Sequence, residues 1–247
     1  MNLGNPIATG NTAEIYLSEG KIIKVFATRL PDGEAEYEAN KQKAAYSCGL
    51  PVPQVFDVTH IHGKQAIIME YVQGITVGDL MKKNKESAKM YLSLSVDIQI
   101  DLHSKSVTAL EPIGHKLTRQ LQDASILDVT TKAILLERLD ELPPGNRLCH
   151  GDYHVFNLIK TESKTVIIDW VDSSIGNPCA DVYRTYLLYS QFSSDWADFY
   201  LNHYCAKSAF SRGDIFSWAP VIAGARLSEN ISSENAERLL KIVHQYL

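Results

Sequence analysis

The sequence predicts a bilobal α+β protein, with a small N-terminal lobe of a five-stranded antiparallel sheet plus one helix and a larger, mainly helical C-terminal lobe. Short strand-like runs dominate up to residue 71, in the order β-β-β-α-β-β. From residue 77 onward, long segments with apolar residues at helical spacing replace them. The change of pattern places the boundary near residue 72, which gives lobes of 1–72 and 73–247.

The N-terminal lobe begins with three predicted strands within residues 5–28, where a turn at 18–20 separates the runs 13–17 and 21–26. An Ala-, Glu- and Lys-rich stretch at 34–47 has helical composition and stops before Gly49 and Pro51. Two further strands, 54–60 and 65–71, flank a tight turn at 61–64.

The C-terminal lobe contains one short predicted hairpin, formed by 157–160 and 165–169 around a polar turn. Its other segments have helical periodicity. They are 86–105, 115–123, 127–141, 179–191, 194–209, 214–229 and 233–247.

Composition excludes several functional classes. The formal net charge of -5 and the pI near 5.9 argue against a nucleic-acid partner, which requires clustered Lys and Arg. The four cysteines lie far apart with no C-x-x-C pair, so neither a zinc site nor a disulfide framework is indicated. No apolar run approaches the ~20 residues that span a bilayer, and the first ten residues lack a signal-peptide pattern, so we expect a cytoplasmic protein with no membrane partner.

The most informative stretch is 149–157, which reads C-H-G-D-Y-H-V-F-N, followed by V-I-I-D-W at 166–170. Phosphoryl transfer needs a carboxylate near the attacking hydroxyl and oxygen ligands for Mg²⁺. Asp152, on the loop before the hairpin, suits the first role. Asn157 and Asp169 suit the second role as metal ligands, because a two-stranded hairpin brings its two ends together. The alternative is that these residues only cap turns and end a strand.

These motifs resemble the H-G-D-x-x-x-x-N and I-D-W motifs of the aminoglycoside phosphotransferases and choline kinase-like proteins, a branch of the protein-kinase-like superfamily. The segment 176–184 also resembles the family's G-x-P-x-x-D segment, in which the residue matching Asp181 braces the catalytic loop. His103 resembles a family helix position beneath that loop. The resemblance covers nearly the whole chain and implies a protein-kinase-like fold with ATP or GTP and Mg²⁺ as cofactors.

The resemblance makes Lys24, in the middle of the third strand, the phosphate-binding lysine. Lys21 is the competing candidate on the opposite face of the same strand. The expected partner of the lysine is a glutamate of the following helix. Counting back from the segment at 51–53 favours Glu38, but Glu34, one turn earlier on the same face, remains an alternative.

The nucleotide should contact the first hairpin and the end of the fifth strand. The hairpin has a single glycine, so its backbone amides are a weak signal for phosphate binding. By resemblance, the carbonyl of Glu70 and the amide of Val72 bind adenine. The full set of candidate nucleotide-binding residues is Asn11, Thr12, Ile15, Lys24, Glu38, Met69, Glu70, Val72 and Ile168.

The function that we predict is a kinase that transfers the γ-phosphate of ATP or GTP to a hydroxyl of a small, amine-bearing acceptor such as an aminoglycoside. Choline, ethanolamine and sugar kinases on the same fold are alternatives, as is a catalytically idle nucleotide-binding module. A protein kinase is disfavoured because the catalytic loop reads H-G-D instead of H-R-D. Oligomeric state and the choice between ATP and GTP are left open by the sequence.

Overall fold

The computed structural model describes residues 3–10, 12–229 and 234–246. Its strands are β1 Ala8–Thr9, β2 Ala13–Ser18, β3 Lys21–Phe26, β4 Val55–Ile61, β5 Lys64–Glu70, β6 Ile75–Thr76, β7 Arg147–Cys149, β8 Leu158–Lys160, β9 Thr165–Ile167 and β10 Ser174–Gly176. Its α-helices are α1 Glu34–Ser47, α2 Val77–Lys83, α3 Ala88–Ser104, α4 Ile113–Asp123, α5 Val129–Glu141, α6 Pro178–Ser190, α7 Ser194–Lys207, α8 Arg212–Phe216, α9 Ala219–Arg226 and α10 Ala236–Gln245.

The main sheet has five antiparallel strands within the described residues, in the order β1-β2-β3-β5-β4. Its two tight hairpins turn through consecutive residues with positive φ, Glu19 with Gly20 and His62 with Gly63. Such turns match the right-handed twist of the flanking strands. The predicted five-stranded sheet is therefore confirmed, and His62 is a turn residue.

Helix α1 packs on this sheet through its small apolar face. Ala35 and Ala39 form a buried cluster with Phe26 and Ile67. The side-chain oxygen of Gln65 accepts hydrogen bonds from the amides of Gly33 and Ala35, at 2.9 and 3.2 Å, and so satisfies free donors at the start of the helix. These contacts fix the rotation of α1 and direct one of its turns toward β3.

A second, three-stranded sheet has the order β6-β8-β9. Gly74 allows the close approach of β6, because an added Cβ would lie 2.5 Å from the carbonyl oxygen of Lys160. The pairing of β8 with β9 confirms the predicted hairpin, with Leu158 opposite Ile167.

Most C-terminal helices follow the predicted segments closely, although α2 precedes the first of them and one predicted segment is interrupted. The predicted helix at 214–229 is divided into α8 and α9, which are separated at Ser217 and Trp218. Pro220 lies in the first turn of α9, where its missing N–H costs no hydrogen bond, whereas it would break the interior of a longer helix. Strands β7 and β10 form an antiparallel pair that the sequence did not indicate.

Within its described residues, the chain divides into two compact units, one inside the ranges Met1–Lys82 and Phe156–Asp172 and the other inside Lys83–Val155 and Ser173–Leu247. The lobe boundary near residue 72 remains a prediction. All four cysteines lie in the described part of the chain and are free thiols. Within that part, no helix combines the length and apolar character needed to cross a bilayer.

Candidate active site

Lys24 lies in the middle of β3, opposite Ile15 of β2 and Ile67 of β5. Its Nζ is 2.5 Å from Oε1 of Glu38 and 4.0 Å from Oδ1 of Asp169. The competing candidate, Lys21, instead lies over the ring of Phe56 at 5.4 Å. The predicted phosphate-binding lysine, its glutamate partner and one of the two predicted metal ligands therefore lie together in the first unit.

Glu38 is buried on the face of α1 that lies toward β3, with only 3% of its surface exposed. Burial raises the pKa of its carboxyl, and the charge and hydrogen bond of Lys24 oppose that rise. The partner of Lys24 in the structure is thus Glu38, while Glu34 lies one turn earlier and is only half-buried.

Asn157 and Asp169 lie at the two ends of the β8–β9 hairpin. The amide of Ile168 donates to the carbonyl of Asn157 at 3.0 Å, so the two chain segments run side by side. Asn157 is buried, whereas 44% of the Asp169 side chain is exposed. Asp169 has φ of 65°, a strained conformation for a residue with a side chain and one that is concentrated at functional sites.

The segment after Asp169 is fixed by two side chains of the same unit. The indole N–H of Trp170 donates to the carbonyl of Ile167 at 3.1 Å. Lys41 of α1 donates to the carbonyl of Val171 at 2.7 Å and is only 4% exposed. Lys41 lies one turn after Glu38, so one helix contacts both Lys24 and the segment after Asp169.

The other predicted nucleotide-binding residues also belong to the first unit. Met69 packs against the α1 cluster and accepts from the amide of Gln42 at 3.7 Å. Glu70 ends β5, where its amide donates to the carbonyl of Gln54 at 2.8 Å. The remaining predicted positions are Thr12, which is exposed, and Ile15, Val72 and Ile168, which are half-buried. Asn11 lies outside the described residues.

Asp152 lies in the second unit, on the loop between β7 and the 3₁₀ turn Val155–Asn157. About a quarter of its side chain is exposed, and its Oδ2 is 3.5 Å from Nε2 of His154. Burial alone would raise the pKa of Asp152, but His154, Arg184 and His150 outweigh it and hold the pKa of that carboxyl well below its usual value. Asp152 is therefore ionised throughout the working pH range.

A buried network supports this loop from below. Asp181 of α6 accepts hydrogen bonds from the amide of Gly151 at 2.6 Å, from Nε2 of His103 at 3.0 Å and from the side chain of Gln99 at 3.1 Å. Burial opposes ionisation, but His103, the charge of His150 and the amide of Gly151 together hold the pKa of Asp181 at about 2. Nδ1 of His103 in turn bonds the hydroxyl of Tyr204 at 2.7 Å.

Sequence reasoning missed several residues that support the predicted site: Lys41, Gln99, Thr185 and Tyr204. Helical periodicity offered one signal, because Thr185 follows Asp181 by one turn on the same face of α6. No local pattern pointed to Lys41, Gln99 or Tyr204. The partners of Lys41 and Gln99 are 130 and 82 residues away along the chain, and Tyr204 acts through His103.

Comparison with protein families is decisive for the class of this chain. The family model described as "Phosphotransferase enzyme family" matches residues 4–221. The chain belongs to this family. The predicted resemblance to aminoglycoside phosphotransferases and choline kinases is thus confirmed, and the family match supports a phosphotransferase activity.

Solved structures agree with this assignment at the level of the fold. Aminoglycoside phosphotransferase APH(4)-Ia, as a thermostable mutant, matches with a TM-score of 0.71 at 15% identity, over 98% of this chain and 94% of that one. Choline kinase LicA from Streptococcus pneumoniae matches with a TM-score of 0.67 at 17% identity, over 98% and 93%. The predicted α+β kinase-like fold is confirmed.

The curated relatives that this chain resembles are named as acyl-CoA dehydrogenase family members. Acyl-CoA dehydrogenase family member 11 from Pongo abelii is 29% identical over 181 residues, which is 63% of this chain and 23% of that protein. Acyl-CoA dehydrogenase family member 10 from Mus musculus is 30% identical over 205 residues, which is 72% and 19%. The chain therefore spans less than a quarter of the length of these relatives, and the activity in their names belongs to those proteins.

Proposed function

We propose that this chain is a kinase that transfers the γ-phosphate of ATP or GTP to a hydroxyl group of a small molecule. The observation that carries the proposal is the contact of Lys24 with Glu38, with the carboxylate of Asp169 4.0 Å from the same ammonium group. Phosphoryl transfer depends on such a cation at the phosphates beside a metal-binding carboxylate. The matching structures of LicA with AMP and of aminoglycoside phosphotransferase APH(4)-Ia with ADP or AMP-PNP support a nucleotide as the donor here.

The residues at the ends of the β8–β9 hairpin fit Mg²⁺. Asn157 and Asp169 offer an amide oxygen and a carboxylate oxygen, the hard donors that Mg²⁺ prefers, and the adjoining backbone is fixed by a hydrogen bond. We therefore assign these two residues to Mg²⁺ in this proposal. When bound, the ion would neutralise charge on the transferring phosphoryl group.

In the proposed mechanism, Lys24 binds the α- and β-phosphates and Glu38 holds its ammonium group in place. Asp152 accepts a hydrogen bond from the acceptor hydroxyl and so orients it. As the bond from the acceptor oxygen to the γ-phosphorus forms, the bond from that phosphorus to the β,γ-bridging oxygen breaks and the hydroxyl proton passes to Asp152. The low pKa of Asp152 keeps it ionised, which suits orientation of the hydroxyl more than early proton removal.

The acceptor that we propose is a small hydroxylated molecule, with aminoglycosides, choline, ethanolamine and sugars as candidates. Two carboxylates that would attract a cationic acceptor are already paired with arginines in the second unit. Glu229 bonds Arg184 and Arg226, and Glu234 bonds Arg226 and Arg238. Because their charge is largely neutralised, neutral polyols should be screened beside amines.

The test is a coupled assay of ADP or GDP release with Mg²⁺ across these acceptor classes. We expect turnover with one class, and we expect Asp152→Ala to lower it by about 10²–10⁴-fold while nucleotide binding persists. Asp169→Ala should instead abolish Mg²⁺-dependent nucleotide binding, which calorimetry would measure. An Asp152→Ala protein with full turnover would refute the assignment.

The idle nucleotide-binding module is the second candidate. It predicts a thermal shift with Mg²⁺ and nucleotide but no turnover with any acceptor. The presence of Lys24, Asp152, Asn157 and Asp169 in one chain argues against it, because degenerate kinases usually lack one of these groups.

A further inference from the structure

Two side chains on one face of α6 hold the backbone on either side of Asp152. The carboxylate of Asp181 accepts from the amide of Gly151 at 2.6 Å. The hydroxyl of Thr185 donates to the carbonyl of Tyr153 at 2.9 Å. Residues four apart on a helix lie above one another, about 5–6 Å apart, so α6 contacts the residue before Asp152 and the residue after it.

Both contacts are sheltered from water. Asp181 is 1% exposed, and Thr185 and Tyr153 are fully buried. The phenol of Tyr153 also donates to the carbonyl of Ser95 in α3 at 2.6 Å. Buried hydrogen bonds of this kind are costly to lose, because the partner then keeps an unsatisfied group away from solvent.

The direction of the Thr185 hydroxyl is set by its neighbours. A threonine hydroxyl has one proton to donate and can also accept. The amide of Gln99 donates to this oxygen at 3.4 Å, and Oε1 of Gln99 is itself held by the hydroxyl of Tyr200 at 2.5 Å. The Thr185 proton is shared between the carbonyl of Tyr153 at 2.9 Å and the carbonyl of Asp181 at 3.2 Å, with the shorter contact to the loop.

The loop needs support on both sides. Gly151 has φ of 82°, a left-handed turn that places Asp152 on a short, irregular segment. Asp181 anchors the amide of Gly151 before Asp152, and Thr185 anchors the carbonyl of Tyr153 after it. Loss of the second anchor would let the peptide between Tyr153 and His154 rotate and shift the carboxylate of Asp152, and a displacement of about 1 Å is enough to cost about 10²-fold in rate.

We propose that Thr185 is a positioning residue for Asp152. Thr185 and Asp181 together hold the loop of Asp152 at two points from α6, and this support sets the rate at which the bound acceptor is turned over. This inference rests on the proposed kinase function. It adds a residue that neither the sequence motifs nor the family match assigns to the reaction. Its signature is an effect on kcat without an effect on nucleotide affinity.

The matched variants are Thr185→Val, which keeps the shape and removes the hydroxyl, and Thr185→Ser, which keeps the hydroxyl. We expect Thr185→Val to lower kcat by about tenfold or more, with nucleotide KM and Kd within about twofold of the unchanged protein. Thr185→Ser should restore most of the rate. Thr118→Val is the control, because Thr118 makes a similar hydrogen bond to Gly114 within α4 at 2.9 Å.

A second measurement does not depend on turnover. Hydrogen exchange of the amides at 151–155 should be faster in Thr185→Val than in the unchanged protein, and unaltered in Thr118→Val. If the unchanged protein shows no kinase activity, the proposed function fails, but the exchange result still tests whether Thr185 supports the loop that carries Asp152. Unchanged exchange, or a Thr185→Val protein with unchanged kcat, would overturn the role of Thr185. A loss of rate that Thr185→Ser does not restore would also overturn it.

Discussion

The two compact units hold their predicted reactive carboxylates in different ways. In the first unit, Asp169 is 44% exposed, has a strained backbone and lies near the charged group of Lys24. In the second unit, the loop that carries Asp152 rests on buried hydrogen bonds from α6, chiefly those of Asp181 and Thr185.

The difference follows from the tasks proposed for the two carboxylates. A metal-binding carboxylate must present its oxygens to a cation, so exposure and a nearby charge network suit Asp169. A carboxylate that aligns an acceptor hydroxyl needs a fixed position, which buried hydrogen bonds to the backbone on either side of it provide. Substitutions in the first unit should therefore change metal and nucleotide affinity, and substitutions beneath Asp152 should change turnover.

The largest expected effect in this comparison is that of Lys24→Met. Burial raises the pKa of Glu38, and removal of Lys24 leaves that rise unopposed. A carboxyl whose pKa is raised on folding contributes stability below its unfolded pKa and loses it as the pH rises through the folded pKa. We expect turnover to be lost, and we expect the thermal midpoint of Lys24→Met to fall more between pH 5 and pH 8 than that of the unchanged protein.

The control for this prediction is the double variant Lys24→Met with Glu38→Gln. Because it lacks the ionisable group, its thermal midpoint should show no extra dependence on pH. If the thermal midpoint of Lys24→Met shows the same pH dependence as that of the unchanged protein, Lys24 does not oppose the rise in the pKa of Glu38.

An intermediate effect is expected for Lys41→Met. The variant removes the hydrogen bond to the carbonyl of Val171, two residues after Asp169, but keeps an apolar chain in the buried site. We expect the Mg²⁺ concentration at half-maximal nucleotide binding to rise several-fold, as measured by titration calorimetry. Lys43→Met is the matched control, because Lys43 lies on the same helix and is exposed. Equal results for the two variants would contradict the role of Lys41.

The smallest effect is expected for His154→Gln, and only at acid pH. His154 makes the largest contribution to lowering the pKa of Asp152, so its removal should raise that pKa toward the usual value. Asp152 must be ionised to take the proton of the acceptor hydroxyl, so the acid limb of the kcat/KM profile should move to higher pH. His60→Gln, at an exposed residue of the first unit, should leave the profile unchanged. An unshifted acid limb in His154→Gln would contradict the electrostatic coupling.

Much of the architecture was already evident in the sequence, because it depends on local chemistry. The turns at Gly20 and Gly63 require left-handed backbone conformations that glycine adopts readily, so they marked the hairpins of the main sheet. The spacing of Asp152, Asn157 and Asp169 indicated the family, which the match over residues 4–221 confirmed. The roles of these residues remain predictions.

Tertiary structure alone decided which distant groups meet. Both Glu34 and Glu38 lie on one helical face in the sequence, and only the packing of α1 on the sheet places Glu38 against Lys24. Likewise, Lys41 and Thr185 resemble ordinary helix residues until their carbonyl partners, 130 and 32 residues away, are brought to them. Periodicity reports which face of a helix is buried, but it carries no information about the backbone that this face will meet.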